Sequence, residues 1–282
     1  MYPAGIAGIT SRYVTLPDGV TMRVVESGPA DREHAVLLIH GWGACLYSFA
    51  EMIPALAARG HRVIAMDLPG YGLSDKPRDL RKYATRYASE AVALAAQQLG
   101  VRTFAMIGHS MGGRIALDEA VRRAPGLERL VLINAVGLGI VPIVRPLRPF
   151  TPKVVDRFTP LMVSRTLVRG ILAVAFATRG RPVPRDVEEY WAPSQFDEYA
   201  MACRATLHHG SWGRVPEEAL RTIDLPVLVI TGGRDRLVRG TARRAAHIPS
   251  ARIVNIPEGG HIVLQECSDR TNEEITRFLD EG

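Results

Sequence analysis

Phe104–Ala120 reads FAMIGHSMGGRIALDEA, and this stretch decides the fold. The run Phe104–His109 is apolar and short, as in a strand buried on both faces. A turn follows at Gly108-His109-Ser110-Met111-Gly112-Gly113, and Gly112–Ala124 then carries apolar residues at helical spacing as far as Pro125. Runs of the first kind recur outward from it. They are Ala35–His40, Arg62–Asp67, Leu130–Asn134, Pro226–Gly232 and Arg252–Pro257. Helical segments are expected at Ser48–Arg59, ending before Gly60, at Ser89–Leu99, ending at Gly100, and at Thr271–Leu279. At the front, RYVTLP and TMRVVES flank Asp18-Gly19, a hairpin signal. The alternation implies an α/β fold, a mostly parallel central sheet with helices on both faces. It breaks once, from Leu138 to Trp212. This segment is rich in Pro and Arg, with helical patches at Pro160–Ala177 and Gln195–His208. It reads as an insertion over one end of the sheet.

The turn is a G-x-S-x-G pattern between a strand and a helix. In that setting Ser110 sits on a tight, strained turn and its hydroxyl projects above the sheet edge. Gly108 and Gly112 remove side chains that would clash there. The following helix aims its N-terminus at the site, which favours developing negative charge. A serine nucleophile needs a base and an orienting acid, here in the chain order Ser, acid, His. Asp235 follows Pro226–Gly232 and His261 follows Arg252–Pro257, both past the carboxyl ends of predicted strands, where α/β sites lie. The position after Leu130–Ile133 is Asn134, which carries no charge. Oxyanion donors are expected from the backbone amides of Trp42, in His40-Gly41-Trp42-Gly43, and of Met111.

HGWG, DLPGYGLSDKP (Asp67–Pro77), GHSMGG, GGRD and GGH, in this order, resemble the α/β-hydrolase superfamily over nearly the whole chain. The resemblance implies an α/β-hydrolase fold with core residues 1–137 and 213–282 and a helical cap at 138–212. It implies Ser110 as nucleophile, Asp235 as acid and His261 as base, acting on carboxylic esters through an acyl-enzyme. Haloalkane dehalogenases and epoxide hydrolases are similar around Asp67–Pro77 but use an aspartate nucleophile, and position 110 is Ser. The meta-cleavage C–C hydrolases share the serine followed by MGG. They carry Asn before it and Trp after the catalytic His, where this chain has His109 and Ile262. Lactonases and cofactor-free haloperoxidases share the triad and stay open as alternatives. A binding module that has lost catalysis would show a broken triad, and this one looks intact. The chemistry calls for no metal and no organic cofactor. The expected partner is a small hydrophobic acyl or aryl ester. Oligomeric state is not legible.

Of 282 residues, 47% are hydrophobic and 23% charged, a globular composition. The formal charge is +6, and only Lys76, Lys82 and Lys153 among the 35 basic residues are lysines. Nine bases against four acids lie between Leu138 and Trp191, so the basic balance belongs to the insertion. No nucleic-acid recognition module accompanies it. A solvated cap surface accounts for it; attraction of acidic substrates or of an anionic lipid surface is the sharper account. Cys45, Cys203 and Cys267 are too few and too scattered for a disulfide framework, and no signal peptide or membrane-spanning run is evident, so a cytoplasmic protein is expected. Cys45 and Cys267 read as buried inert thiols. His208-His209 reads as solvated or capping, and Asp67 and Asp75 as loop-fixing residues. Trp191 and Trp212 line the pocket or pack the cap on the core, while Met162, Met201 and the aliphatics of Leu161–Ala177 suggest a greasy cap interior.

Overall fold

The computed structural model describes residues 1–153, 156 and 163–281. Eight strands form one sheet: β1 Ile9–Thr15, β2 Thr21–Ser27, β3 His34–Ile39, β4 Val63–Met66, β5 Thr103–His109, β6 Leu127–Ile133, β7 Val227–Gly232 and β8 Ala251–Ile256. Their order is β1-β2-β4-β3-β5-β6-β7-β8. The β1–β2 and β2–β4 pairs are antiparallel and every other pair is parallel. The expected hairpin forms at Asp18-Gly19, but its first strand runs Ile9–Thr15 because Leu16 already pairs across the turn with Val20.

Alternation along β3 shows why the sheet is covered twice. Leu37 and Ile39 enter the core that holds Ala91, Val92 and Ala95 of α2 (Thr85–Gln98) and Ile115 and Leu117 of α3 (Met111–Val121). Val36 and Leu38 enter the other core, with Met52, Ile53 and Leu56 of α1 (Met52–Ala58). The closing helix, here Ser268–Asp280, adds Ile275 and Phe278 to that second core. Each buried aliphatic side chain contributes about 1.5–3 kcal/mol, which a strand covered on one face cannot match.

The helix expected at Ser48–Arg59 is divided. Leu46–Phe49 is a 3₁₀ turn, and α1 begins only at Met52. The helix expected at Ser89–Leu99 starts four residues earlier, at Thr85. Within the insertion, α4 spans Arg165–Ala175, α5 Pro184–Trp191 and α6 Tyr199–His209. The patch expected at Gln195–His208 is corrected to α6, since Gln195 ends a 3₁₀ turn that Pro193 helps to form and the backbone is extended at Phe196. Helix α5 was not foreseen; Pro184 at its start supplies the fixed φ of a first helical residue. Pro160, Leu161 and Met162 lie outside the described residues. No described helix is long and apolar enough to cross a membrane.

Strands β3 and β5 are neighbours, yet β4 lies on the far side of β3. The connections leaving β3 and β5 therefore diverge, and a crevice opens at their carboxyl ends. HGWG leaves β3 there, and Ser110 leaves β5.

Candidate active site

Ser110 has φ 55° and ψ −114°, a conformation that costs an L-residue about 1–3 kcal/mol. It is over-determined by its surroundings. The Ser110 N–H donates to the Ile133 carbonyl (3.0 Å), and its own carbonyl accepts from Val136 N–H (3.0 Å). Two glycines are obligatory beside it. A Cβ on Gly108 would stand 2.4 Å from the Gly112 carbonyl oxygen, and one on Gly112 would stand 2.1 Å from that of Ile39.

The three side chains expected to act together do meet. His261 Nε2 lies 3.0 Å from Ser110 Oγ, and His261 Nδ1 lies 2.9 Å from Asp235 Oδ2. With the Nδ1–H donating to the carboxylate, Nε2 is left to accept the serine proton. All three side chains are largely buried. Burial alone would raise the Asp235 pKa. The His261 ring and the amides of Leu237 (2.8 Å) and Val238 (3.0 Å), which donate to Oδ1, outweigh it and hold the carboxyl below its usual range.

The HGWG loop lies against the serine, since a Cβ on Gly41 would be 3.1 Å from Ser110 Cβ. His40 is fully buried and staples this loop to the next. Its Nδ1–H donates to the Gly41 carbonyl (2.8 Å), and its Nε2 accepts from Leu68 N–H (3.0 Å). Asp67 is the structural residue expected: it accepts from Leu46 N–H (2.8 Å) and Leu73 N–H (3.0 Å), with Arg23 at 3.6 Å. Asp75 likewise accepts from Thr21 N–H. Helix α6 holds the HGWG loop from the other side. The Trp42 indole N–H donates to the Cys203 carbonyl (2.9 Å) and the Tyr199 hydroxyl to that of Gly43 (3.0 Å). Among the described residues, neither the Trp42 nor the Met111 backbone N–H donates to another protein group.

Sequence reasoning missed three residues around the histidine. Asn134, at φ 45°, donates from Nδ2 to the carbonyls of Gly260 (3.0 Å) and His261 (2.9 Å) and accepts from Gly232 N–H (3.0 Å). Its side chain thus ties β6, β7 and the histidine loop together. His109 donates from Nε2 to the same His261 carbonyl (2.9 Å). Its burial, with the His261 ring 4.9 Å away, pushes its pKa down from 6.5 to about 3. Glu266 accepts from Gly260 N–H (2.9 Å) with one oxygen and from Ala177 (2.6 Å) and Thr178 (3.0 Å) N–H with the other. The only signal available was the left-handed tolerance of Asn directly after a strand. Nothing marks Glu266, whose partners in the insertion, Ala177 and Thr178, lie 89 and 88 residues away.

A cavity of about 370 Å³ opens above Ser110 and His261. Most of its wall comes from the insertion and is apolar, with Val168, Leu172 and Ala175 of α4 and Tyr199 and Cys203 of α6. Trp212 belongs to this wall and meets Trp42 edge to face at 5.8 Å. Trp191 instead packs away from it, its indole N–H donating to the Val163 carbonyl (3.0 Å) with the Arg165 guanidinium over its ring. Cys45 is buried outside the cavity and burial raises its pKa strongly, as expected of an inert thiol; Cys203, unforeseen as a wall residue, is pushed up to about 12. Cys267 is only half-buried. His208 and His209 end α6 exposed, and His208 meets the Thr151 hydroxyl at 3.1 Å. No group of three His, Cys, Asp or Glu among the described residues is placed to hold a metal ion.

A family model described as alpha/beta hydrolase family matches residues 36–274. The magnesium-chelatase 30 kDa subunit of Rhodobacter capsulatus is 32% identical over 91% of this chain and 90% of its own length. A haloalkane dehalogenase of Mycobacterium marinum is 31% identical over 82% of this chain and 78% of its own. Among solved structures, an esterase from Exiguobacterium antarcticum superposes with a TM-score of 0.79 at 19% identity, over 96% of this chain and all of its own, a likeness of fold.

Proposed function

The chain belongs to the alpha/beta hydrolase family, and from that premise we propose that it is a serine hydrolase cleaving carboxylic esters through an acyl-enzyme. The observation that carries this reading is the unbroken relay from Ser110 Oγ through His261 to Asp235, at 3.0 and 2.9 Å. In the proposed reaction His261 Nε2 takes the Ser110 proton as Oγ attacks the ester carbonyl. The Trp42 and Met111 amides receive the oxyanion, helped by the N-terminus of α3. His261 then protonates the leaving alcohol, activates water and returns the serine. Asp235, held ionised, keeps the imidazole in the tautomer this requires. Residues 138–212 are proposed as the cap that shapes the acyl pocket, and the apolar cavity wall supports a hydrophobic acyl or aryl group. Three free cysteines support a cytoplasmic setting.

The serine at position 110 weighs against the chemistry of the dehalogenase relative, because haloalkane dehalogenases use an aspartate nucleophile at that position. The same triad serves C–C, lactone and perhydrolase chemistry, so the assay must compare them. A fluorophosphonate probe and a p-nitrophenyl acyl ester series test the proposal. Wild type should label at Ser110 and turn over the esters, and Ser110→Ala should lose about 10³-fold or more of kcat. A folded wild type that shows neither labelling nor turnover overturns the reading. It would favour the second one, a non-catalytic subunit, which draws on the name of the Rhodobacter capsulatus relative.

A further inference from the structure

Between Leu138 and Arg185 the sequence places nine basic residues and one acid, Asp156. That acid is already neutralised, because Arg204 binds it through two hydrogen bonds of 2.7 and 2.6 Å. Among the described residues Arg145, Arg148, Lys153, Arg169 and Arg179 make no ion pair, whereas the exposed bases elsewhere in the fold mostly do. The same segment exposes apolar side chains that a solvated surface has no reason to carry. Phe150 is 78% exposed, Ile171 59% and Ile143 57%. In Ile140–Lys153 the two kinds interleave: Ile140, Ile143, Arg145, Arg148, Phe150, Lys153, with no acid among them.

The apolar side chains are also placed with respect to the cavity. Ile143, Leu167 and Ile171 are exposed and are at the same time part of its wall, so the opening of the cavity is rimmed by aliphatic groups. Arg145 and Phe150 follow Ile143 by two and seven residues, and Arg148 is anchored beside them by its bond to the Leu207 carbonyl (3.0 Å).

We propose that the Ile140–Lys153 face and the aliphatic rim of α4 dock on an anionic lipid bilayer, with the cavity opening towards the lipid. Exposed aliphatic and aromatic groups enter the boundary between headgroups and acyl chains, and the arginines and lysine remain among the phosphates. Charge decides for this occupant over a neutral apolar partner: unpaired cations around an apolar rim fit a surface that is negative outside and hydrocarbon within. The proposal rests on the serine-hydrolase reading for the use of the site, a hydrophobic ester entering from the membrane. It does not rest on that reading for the binding itself.

The test is flotation of the full chain with vesicles of phosphatidylcholine containing 30% phosphatidylglycerol, against phosphatidylcholine alone, at low salt and at about 0.5 M NaCl. The protein should float with the anionic vesicles at low salt, much less at high salt, and little with phosphatidylcholine. Arg145→Gln/Lys153→Gln should weaken partition about thirtyfold. Phe150→Ser should weaken it about tenfold, with turnover of a water-soluble short ester unchanged in both variants. No association of wild type with anionic vesicles overturns the proposal, as does equal binding to both vesicles or wild-type binding by both variants. Flotation needs no turnover, so it can succeed while Ser110 proves inert, and Ser110 can label while flotation fails.

Discussion

Ser110 and His109 stand side by side on the turn after β5, and their burdens differ. Ser110 carries backbone strain, repaid by hydrogen bonds to β6 and its loop. His109 carries an electrostatic one. Its imidazole is buried with Nδ1 unpartnered, so the protonated form is expelled and its pKa drops to about 3. The unfolded chain binds that proton near pH 6.5 and the folded chain does not. Stability at this site is therefore whole above about pH 6.5 and falls by about 1.4 kcal/mol for each unit below it, down to about pH 3. His40, also held low by burial, adds in the same direction. Asp235 acts in a lower window: its carboxyl is depressed, so its contribution is present above the ordinary carboxylate value and is lost as pH falls through the folded one. Urea unfolding of His109→Asn at pH 7 and pH 5 should show a smaller loss across that interval than wild type. Equal losses would mean that His109 is protonated in the fold. Ser110 was legible because glycine spacing is local. The duties of His109 and Asn134 were not, because both act on the carbonyl of His261, more than 120 residues away.

At the scale of elements, the histidine loop after β8 hangs from three supports. Asn134 and His109 hold the His261 carbonyl, and its N–H donates to the Ala175 carbonyl at the end of α4 (2.8 Å). Glu266 links the same two elements a second time, through Gly260 and through Ala177 and Thr178. The insertion is thus tied directly to the residue that would act as base. Glu266→Gln replaces an acceptor by a donor facing backbone N–H groups. It should lower stability by about 1–3 kcal/mol. It should also lower kcat about tenfold with KM little changed, since His261 loses its alignment with Ser110. Stopped turnover analysis with a thermal melt checks both; lowered stability with unchanged kcat would make Glu266 a strut alone. The helix boundaries show the same division between local and distant. Gly60 and Gly100 mark helix ends because a left-handed terminus is a local need, and both have positive φ. The break before α1 was invisible: Leu46 N–H is drawn to Asp67 in the loop after β4, and the Tyr47 hydroxyl donates to Asp186 of α5.

At the scale of the whole molecule, loops at the ends of the sheet bring Ser110, Asp235 and His261 together and the insertion supplies most of the wall around them. On the proposed reading, an apolar-walled cavity of about 370 Å³ would convert acyl length into binding. Each methylene transferred from water is worth about 0.8 kcal/mol, so kcat/KM should rise about fourfold per methylene along an acyl ester series until the cavity is full, then level off. A flat series from the first members would show that the acyl group does not enter. The basic balance noticed in the composition resolves at this scale as well. Among the described residues Arg145, Arg148, Lys153, Arg169 and Arg179 of the insertion make no ion pair, while Arg165, Arg181 and Arg185 do, and the bases of the core are largely matched. The amino-acid sequence by itself determined the strand–turn–helix at Ser110, the order of serine, acid and histidine, and the mostly parallel sheet, because strand periodicity and tight turns are written in neighbouring residues. Only the tertiary structure decided how the insertion lies on the core, which residues wall the cavity and what steadies His261. Those depend on contacts between residues far apart in the chain, and local preference carries no information about which distant partner a side chain will meet.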